Sequence, residues 1–440
     1  MLKEKNKDFY IMSIIRIGLI LILFLPLLFI DSTYFPFVTT RNLVFRLIIS
    51  IIFPLYLYLF FKDKKYWPKF NKGFIFIFLF IISLTISSLL GSNFSFSFWS
   101  NFERMDGLIS WYFLFLYIFV LLGFLNYKKE INKLFNFSIF SAILVSLFSL
   151  LQQLDVFNNS NLFGLGGILG NSAYLGSYMF IHIVLVLYLF FKKSINKGNI
   201  GFIIYYIFTF ILFLYTLIIS QNRGSFLGFL LFIFLLGIFY LWFNRKNRKY
   251  FYYFILSFFI LSFLFIGLLT NQKDNNWVKK VTIFSRLTNI SLDDITTQSR
   301  LVIWRNSLLG LKEKPFLGWG EENFVYVFNK YFPEEIYHDS NSEIWFDRPH
   351  NIFILYLVQG GIVGFFLYLC IFFYLFYFLF KKYLLKKDEN NNWFFSFFWI
   401  SFLISFMFHN LFIFNNINTN IVFYLILAYL FSLKIGRAHV

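Results

Sequence analysis

The chain has 440 residues, 59% of them hydrophobic and 14% charged, with a mean hydropathy of +0.70. That balance excludes a water-soluble globular enzyme, because one soluble core cannot bury so much apolar surface. The formal charge of +18 does not point to nucleic acid, since the basic residues are dealt out between apolar runs and never gathered into one patch.

A hydrocarbon core about 30 Å thick takes roughly 20 apolar residues per helix. Runs of that length predict twelve transmembrane helices, near residues 11–30, 43–61, 73–90, 108–125, 134–153, 172–191, 200–219, 224–243, 250–270, 351–380, 393–412 and 419–433. The runs are continuous and not alternating, so helices are expected and barrel strands are not. The predicted fold is all-α and polytopic. Residues 1–270 carry the first nine spans, 271–350 form a large loop domain, and 351–434 carry the last three spans. The sequence Ile-Gly-Arg-Ala-His-Val at 435–440 is what a common sequencing-library adaptor encodes, so an adaptor-derived tail is expected there.

Alternate loops hold 22 Lys and Arg, whereas the short intervening loops hold only Arg41, Arg104 and Arg223. The positive-inside rule then puts both termini in the cytoplasm and the long loop outside. The first apolar run lacks a small-residue cleavage site and is expected to be retained as a span. Segment 271–350 holds 11 of the 21 acidic residues together with Trp277, Trp304, Trp319 and Trp345. It is expected to fold as an external cap containing short amphipathic helices. One of these is predicted over 300–314 from the spacing of Leu301, Trp304, Leu308 and Leu311, with Pro315 and Gly318 as stop signals.

Ionisable groups near membrane depth are costly and therefore candidates for function. Arg223 lies in Ser-Gln-Asn-Arg-Gly at 220–224, between two spans with almost no loop. It either snorkels to the interface or aims its rigid paired donors at phosphate. Arg300 opens the predicted loop helix, where a plain surface arginine is the alternative. Arg104 lies in Glu-Arg-Met-Asp-Gly at 103–107, whose acidic residues can simply pair with it. His350 stands where the long loop meets a span, after Asp347 and Arg348. An imidazole there can take a proton from a sugar hydroxyl near neutral pH, or merely cap the helix. His182, His338 and His409 are weaker candidates, being within a span, in mid-loop and just after a span. No His, Asp or Glu group has metal-ligand spacing, no phosphate-cradling glycine loop is present, and the lone Cys370 excludes a thiolate cluster, so neither metal nor cofactor is expected.

Four segments together resemble the O-antigen ligase and polymerase-like family of bacterial membrane glycosyltransferases. They are His350-Asn351 followed by Gly361 and Gly364; the 220–224 turn; residues 300–320, with Arg-Leu-x-x-Trp and then Pro-x-x-Gly-x-Gly; and Gly-Asn-Ser-Ala-Tyr-Leu at 170–175. The departures are Asn222 where the family usually has Ser, Ser172 where Pro is common, and Gly364 where some ligases carry Thr. The resemblance implies a bacterial inner-membrane enzyme that takes a glycan from undecaprenyl diphosphate to an acceptor hydroxyl on a lipid, a glycan or a protein. It implies His350, Arg223 and Arg300 as the catalytic set, with Arg104, Asp347 and Arg348 as substrate-binding supports. A polymerase or a protein O-oligosaccharyltransferase of the same family is an alternative. A transporter with ionisable groups on broken midplane helices and a non-catalytic glycan-binding membrane protein are rivals from other classes.

Overall fold

The computed structural model describes residues 2–33, 35–128, 130–154, 164–195, 200–244, 253, 275, 295–337, 344–383, 392–414 and 416–433. The expected ninth span at 250–270, apart from Tyr253, and Trp277, His338 and the 435–440 tail lie outside them. The described helices are α1 (Leu2–Leu23), α2 (Thr39–Lys62), α3 (Lys72–Leu89), α4 (Phe94–Trp99), α5 (Leu108–Lys128), α6 (Ile131–Gln153), α7 (Ser172–Ile195), α8 (Ile200–Ile219), α9 (Arg223–Asn244), α10 (Ile295–Glu313), α11 (Phe324–Lys330), α12 (Ile352–Tyr383), α13 (Asn392–His409) and α14 (Ile417–Ser432). Among the described residues there is no strand.

Eight helices, α2, α3, α5 to α9 and α12, are long and apolar enough to cross a membrane. Helices α13 and α14 are apolar but have 18 and 16 residues, spanning about 27 and 24 Å at 1.5 Å per residue. The first apolar run reaches Ile30 in the sequence, yet α1 stops at Leu23. A single turn at Leu25–Leu27 follows, containing Pro26, which has no N–H to continue the ladder.

Asparagine side chains start many of the helices by accepting orphan N–H groups of the first turn. Asn71 accepts from Phe74, Asn93 from Phe96 and Asn416 from Thr419. Three more of these caps lie within the sequence motifs: Asn171 accepts from Ala173, Asn222 from Ser225, and Asn351 from Phe353 and Ile354. The departure at Asn222 therefore keeps the local physics, because Ser and Asn are comparable N-caps.

Helix α12 is broken at Gly361, whose φ is +62° and ψ −168°. The backbone groups released by the break are taken up by the 315–320 segment. Trp319 N–H and Gly320 N–H donate to the carbonyls of Val358 and Gln359, both at 2.9 Å, and Ile362 N–H donates to Pro315 O at 2.8 Å. The approach is close: a Cβ on Gly361 would lie 2.3 Å from Phe316 O, and one on Gly318 would lie 2.5 Å from Val358 O. On its other side the segment meets the end of α3, where Ser92 N–H donates to Trp319 O and Glu321 N–H to Ser88 Oγ. The Pro-x-x-Gly-x-Gly sequence is thus a backbone insert between α3 and α12, and it delivers Glu321 and Glu322 to the end of the bundle where His350 lies.

Candidate functional site

Three short stretches carry a connected set of charged groups at this end of the bundle: 100–107 between α4 and α5, 321–322 after the insert, and 347–350 before α12. Asn101 turns the first stretch by accepting from Arg104 N–H at 2.8 Å. Arg104 then grips Asp347 with two donors, Nε to Oδ2 at 2.5 Å and Nη2 to Oδ1 at 3.0 Å. Its third nitrogen donates to Tyr174 Oη at 3.1 Å. Arg348 is buried and donates through Nη2 to Asp106 at 2.8 Å and Glu322 at 2.6 Å. Ser100 Oγ completes the second carboxylate by donating to Glu322 at 2.8 Å.

These pairs bear on the charge states of their members, although burial raises the Glu322 carboxyl against the pull of Arg348. Burial and the nearby Arg348 pull the Arg104 guanidinium down, but Tyr174 and Asp347 more than offset them and hold it above the ordinary arginine value. Burial pushes the Asp347 carboxyl up, while Arg104 brings it below the usual carboxylate range. Burial likewise opposes charge on Arg348, and Asp106 and Glu322 restore it.

His350 sits beside this network with φ at +52°, in the left-handed region that costs a non-glycine residue energy. Burial lowers its imidazole from the usual 6.5 to about 4, and Arg300 reinforces the shift ahead of the smaller effects of Arg104 and Arg348, against Asp347. The ring is therefore neutral at pH 7, and its burial and the surrounding cations oppose its protonation. Arg300 comes from α10, which is tied to the same loop by Trp304 Nε1–H donating to Pro349 O at 2.8 Å. The Arg-Leu-x-x-Trp spacing thus puts the cation and the tether one helical turn apart.

Of the six residues singled out by sequence, five form this group: His350, Arg300, Arg104, Asp347 and Arg348. Arg223 starts α9 at the same end, in the neighbouring turn. A Cβ on Gly224 would lie 3.0 Å from Phe412 Cβ, and the adjoining Asn410 carbonyl accepts from Ile352 N–H at 2.9 Å.

Sequence reasoning missed Asp106, Glu322 and Phe414. Asp106 entered only as a possible partner of its neighbour Arg104, whereas it pairs with Arg348, and nothing local marks Asp106 or Glu322 as the partners of that arginine, 242 and 26 positions away. Behind the network lies a small cavity of about 20 Å³, lined in part by Asn42, Asp106, Ser110, Trp111, Glu321 and Arg348. By volume it is the size of one water. Trp111 Nε1–H donates to Glu321 Oε1 at 3.1 Å, and the Gln359 amide donates to Oε2 at 3.1 Å. Burial, reinforced by Glu322, pushes the Glu321 carboxyl up to about 8.

Residues 208–369 match the family model described as O-antigen ligase. That stretch contains Arg223, Arg300 and His350, whereas Arg104 is brought to them by the fold from outside it. No curated protein matches the chain. The matched stretch, 162 of the 440 residues, is similar to the O-antigen ligase family.

Proposed function

We propose that this membrane protein, as a glycosyltransferase of the O-antigen ligase and polymerase type, moves a glycan from undecaprenyl diphosphate to an acceptor hydroxyl at the outer face of the bacterial inner membrane. The observation that carries the reading is the His350 imidazole on the loop that also holds the Arg104–Asp347 pair and that Trp304 of the Arg300 helix tethers. A neutral imidazole can accept the acceptor's hydroxyl proton as the oxygen attacks the anomeric carbon. The bond from that carbon to the diphosphate oxygen breaks on the opposite side, and the electron pair leaves with undecaprenyl diphosphate. Arg300 and Arg223 stabilise the growing negative charge on the leaving group, where a partly dry environment strengthens each donor. Arg104, Asp347 and Arg348 hold the frame against which the glycan is placed. The reaction needs no metal ion in this reading, so a chelator leaves the rate unchanged.

The test supplies the purified protein with a synthetic undecaprenyl-diphosphate oligosaccharide and a panel of lipid, glycan and peptide acceptors. His350→Ala is expected to lower transfer by about 10²-fold or more, and Arg300→Ala or Arg223→Ala by about 10²-fold. Undiminished transfer by His350→Ala would remove the proposed base. The acceptor class that turns over separates ligase, polymerase and protein-glycosylating activities.

A further inference from the structure

Phe414 lies in the link between α13 and α14, 7% exposed, with no polar atom on its side chain to recommend it. Yet its ring meets groups from three separate stretches of the site. The Arg104 guanidinium carbon lies 4.8 Å from the ring centroid and that of Arg348 lies 5.4 Å from it. The His350 ring centroid is 5.0 Å away at an interplanar angle of 59°. Tyr174, which also accepts from Arg104, presents its ring edge-on at 5.9 Å and 86°.

We propose that Phe414 is a positioning residue, the shared aromatic platform on which the His350 imidazole and the Arg104 and Arg348 guanidinium groups are registered against one another. The physical need is clear from the charges. Arg104 and Arg348 repel each other, and together with Arg300 they also disfavour a proton on His350; Asp347 alone among these neighbours acts in the other direction. The carboxylates hold each guanidinium, Arg104 through Asp347 and Arg348 through Asp106 and Glu322, and the two cations still need a common surface to fix their spacing. An aromatic face can do so, because its negative quadrupole attracts both cations while its apolar surface keeps water from the imidazole. Leucine fills similar space without that face. The inference rests on the reading of His350 as the base only for its effect on turnover; its effect on the imidazole is independent of that reading.

The test therefore has two readouts on the full-length protein in lipid nanodiscs. Diethyl pyrocarbonate labelling, followed by peptide mass spectrometry across pH, reports His350 separately from the buried His182 and His409. In Phe414→Leu, His350 is expected to label at least about fivefold faster, with its midpoint moved up from about 4 towards 6.5, while His182 and His409 label as in the parent. Phe414→Tyr, which keeps the ring, is expected to restore the parent behaviour. Transfer from the synthetic undecaprenyl-diphosphate oligosaccharide is expected to fall about tenfold in kcat in Phe414→Leu with little change in KM. Unaltered His350 labelling in Phe414→Leu, or an equal gain at all three histidines, overturns the proposal. If His350→Ala transfers normally while the labelling shift occurs, the platform stands and the assignment of the base falls.

Discussion

The buried site around Arg348 and the opposite end of the bundle hold their charges in different ways. At the end away from His350, Lys62 pairs with Asp8 at 2.6 Å with side chains 28% and 11% exposed, and Lys65 pairs with Asp63 at 2.9 Å with both more than 40% exposed. Water can substitute for much of each interaction there. At the His350 end, Arg348 and Glu322 are 4% and 5% exposed, and neither has solvent to fall back on. Backbone strain is distributed just as unequally. Among the described residues, the non-glycine residues with left-handed backbone, Ser100, Met105, Gln221, Glu322 and His350, all sit at the His350 end. Strained conformations persist only where surrounding contacts over-determine them, and such places are where proteins do chemistry.

The largest expected effect comes from cutting the buried pair. Glu322→Ala leaves the Arg348 guanidinium with Asp106 but without its shorter contact, in a place where an uncompensated charge is expensive. The loss is expected to be about 3 kcal/mol, against no more than about 1 kcal/mol for Lys62→Ala at the other end. Thermal unfolding of the two variants in the same detergent measures the contrast. Equal and small losses would mean that the His350 end is as forgiving as the opposite one.

A second contrast lies between two glycines of one motif. Gly361→Ala has to adopt a φ of +62° and drive its Cβ into the Phe316 carbonyl, so a destabilisation of about 2 kcal/mol is expected. At Gly364 the nearest atom to an added Cβ is Ser83 Oγ at 3.6 Å, an ordinary contact. Gly364→Ala is expected to be neutral or slightly stabilising, because alanine is the better helix former. The same melting measurement compares them, and a harmless Gly361→Ala would show that the insert does not depend on the break in α12.

These glycines also show what sequence can and cannot reveal. Continuous apolar runs exposed most of the spans, since lipid leaves a backbone few alternatives to a helix. The motif spacings marked His350, Arg300 and Gly361, and the structure gives their reasons: a tether one turn away, an N-cap, and a helix break filled by the 315–320 insert. What stayed hidden is pairing over long separations. Arg104 with Asp347 spans 243 positions, and neither residue's neighbours announce the other. Phe414 is harder still, being one of 72 phenylalanines in a chain where that residue mostly means apolar bulk.

Proton linkage gives a third contrast, which reaches the size of a broken ion pair only once pH has fallen to the folded value. His350 is lowered from 6.5 to about 4 in the folded protein, so the unfolded chain binds the extra proton between those values. Its contribution to stability is complete above pH 6.5 and is lost as pH falls towards 4. If His350 is the base, the acid limb of the transfer rate follows the folded value and lies near 4. A limb at 6.5 or above would show an imidazole open to water.

The smallest expected effect concerns Glu321, which shares the buried setting of Glu322 but not its ion pair. Burial raises its carboxyl from 4.5 to about 8, so it carries a proton at neutral pH and resembles an amide in charge. The folded state then binds more protons than the unfolded chain between 4.5 and 8, and the stability due to that proton is present at low pH and drains away as pH rises through 8. Glu321→Gln keeps two polar atoms facing Trp111 and Gln359 without a group that can ionise. At pH 7 its stability is expected to lie within about 1 kcal/mol of the parent. Between pH 7 and 9 the parent melting temperature is expected to fall faster than that of the variant. Parallel melting curves over that interval would mean that Glu321 is ionised throughout, and that the acids behind Arg348 are both charged.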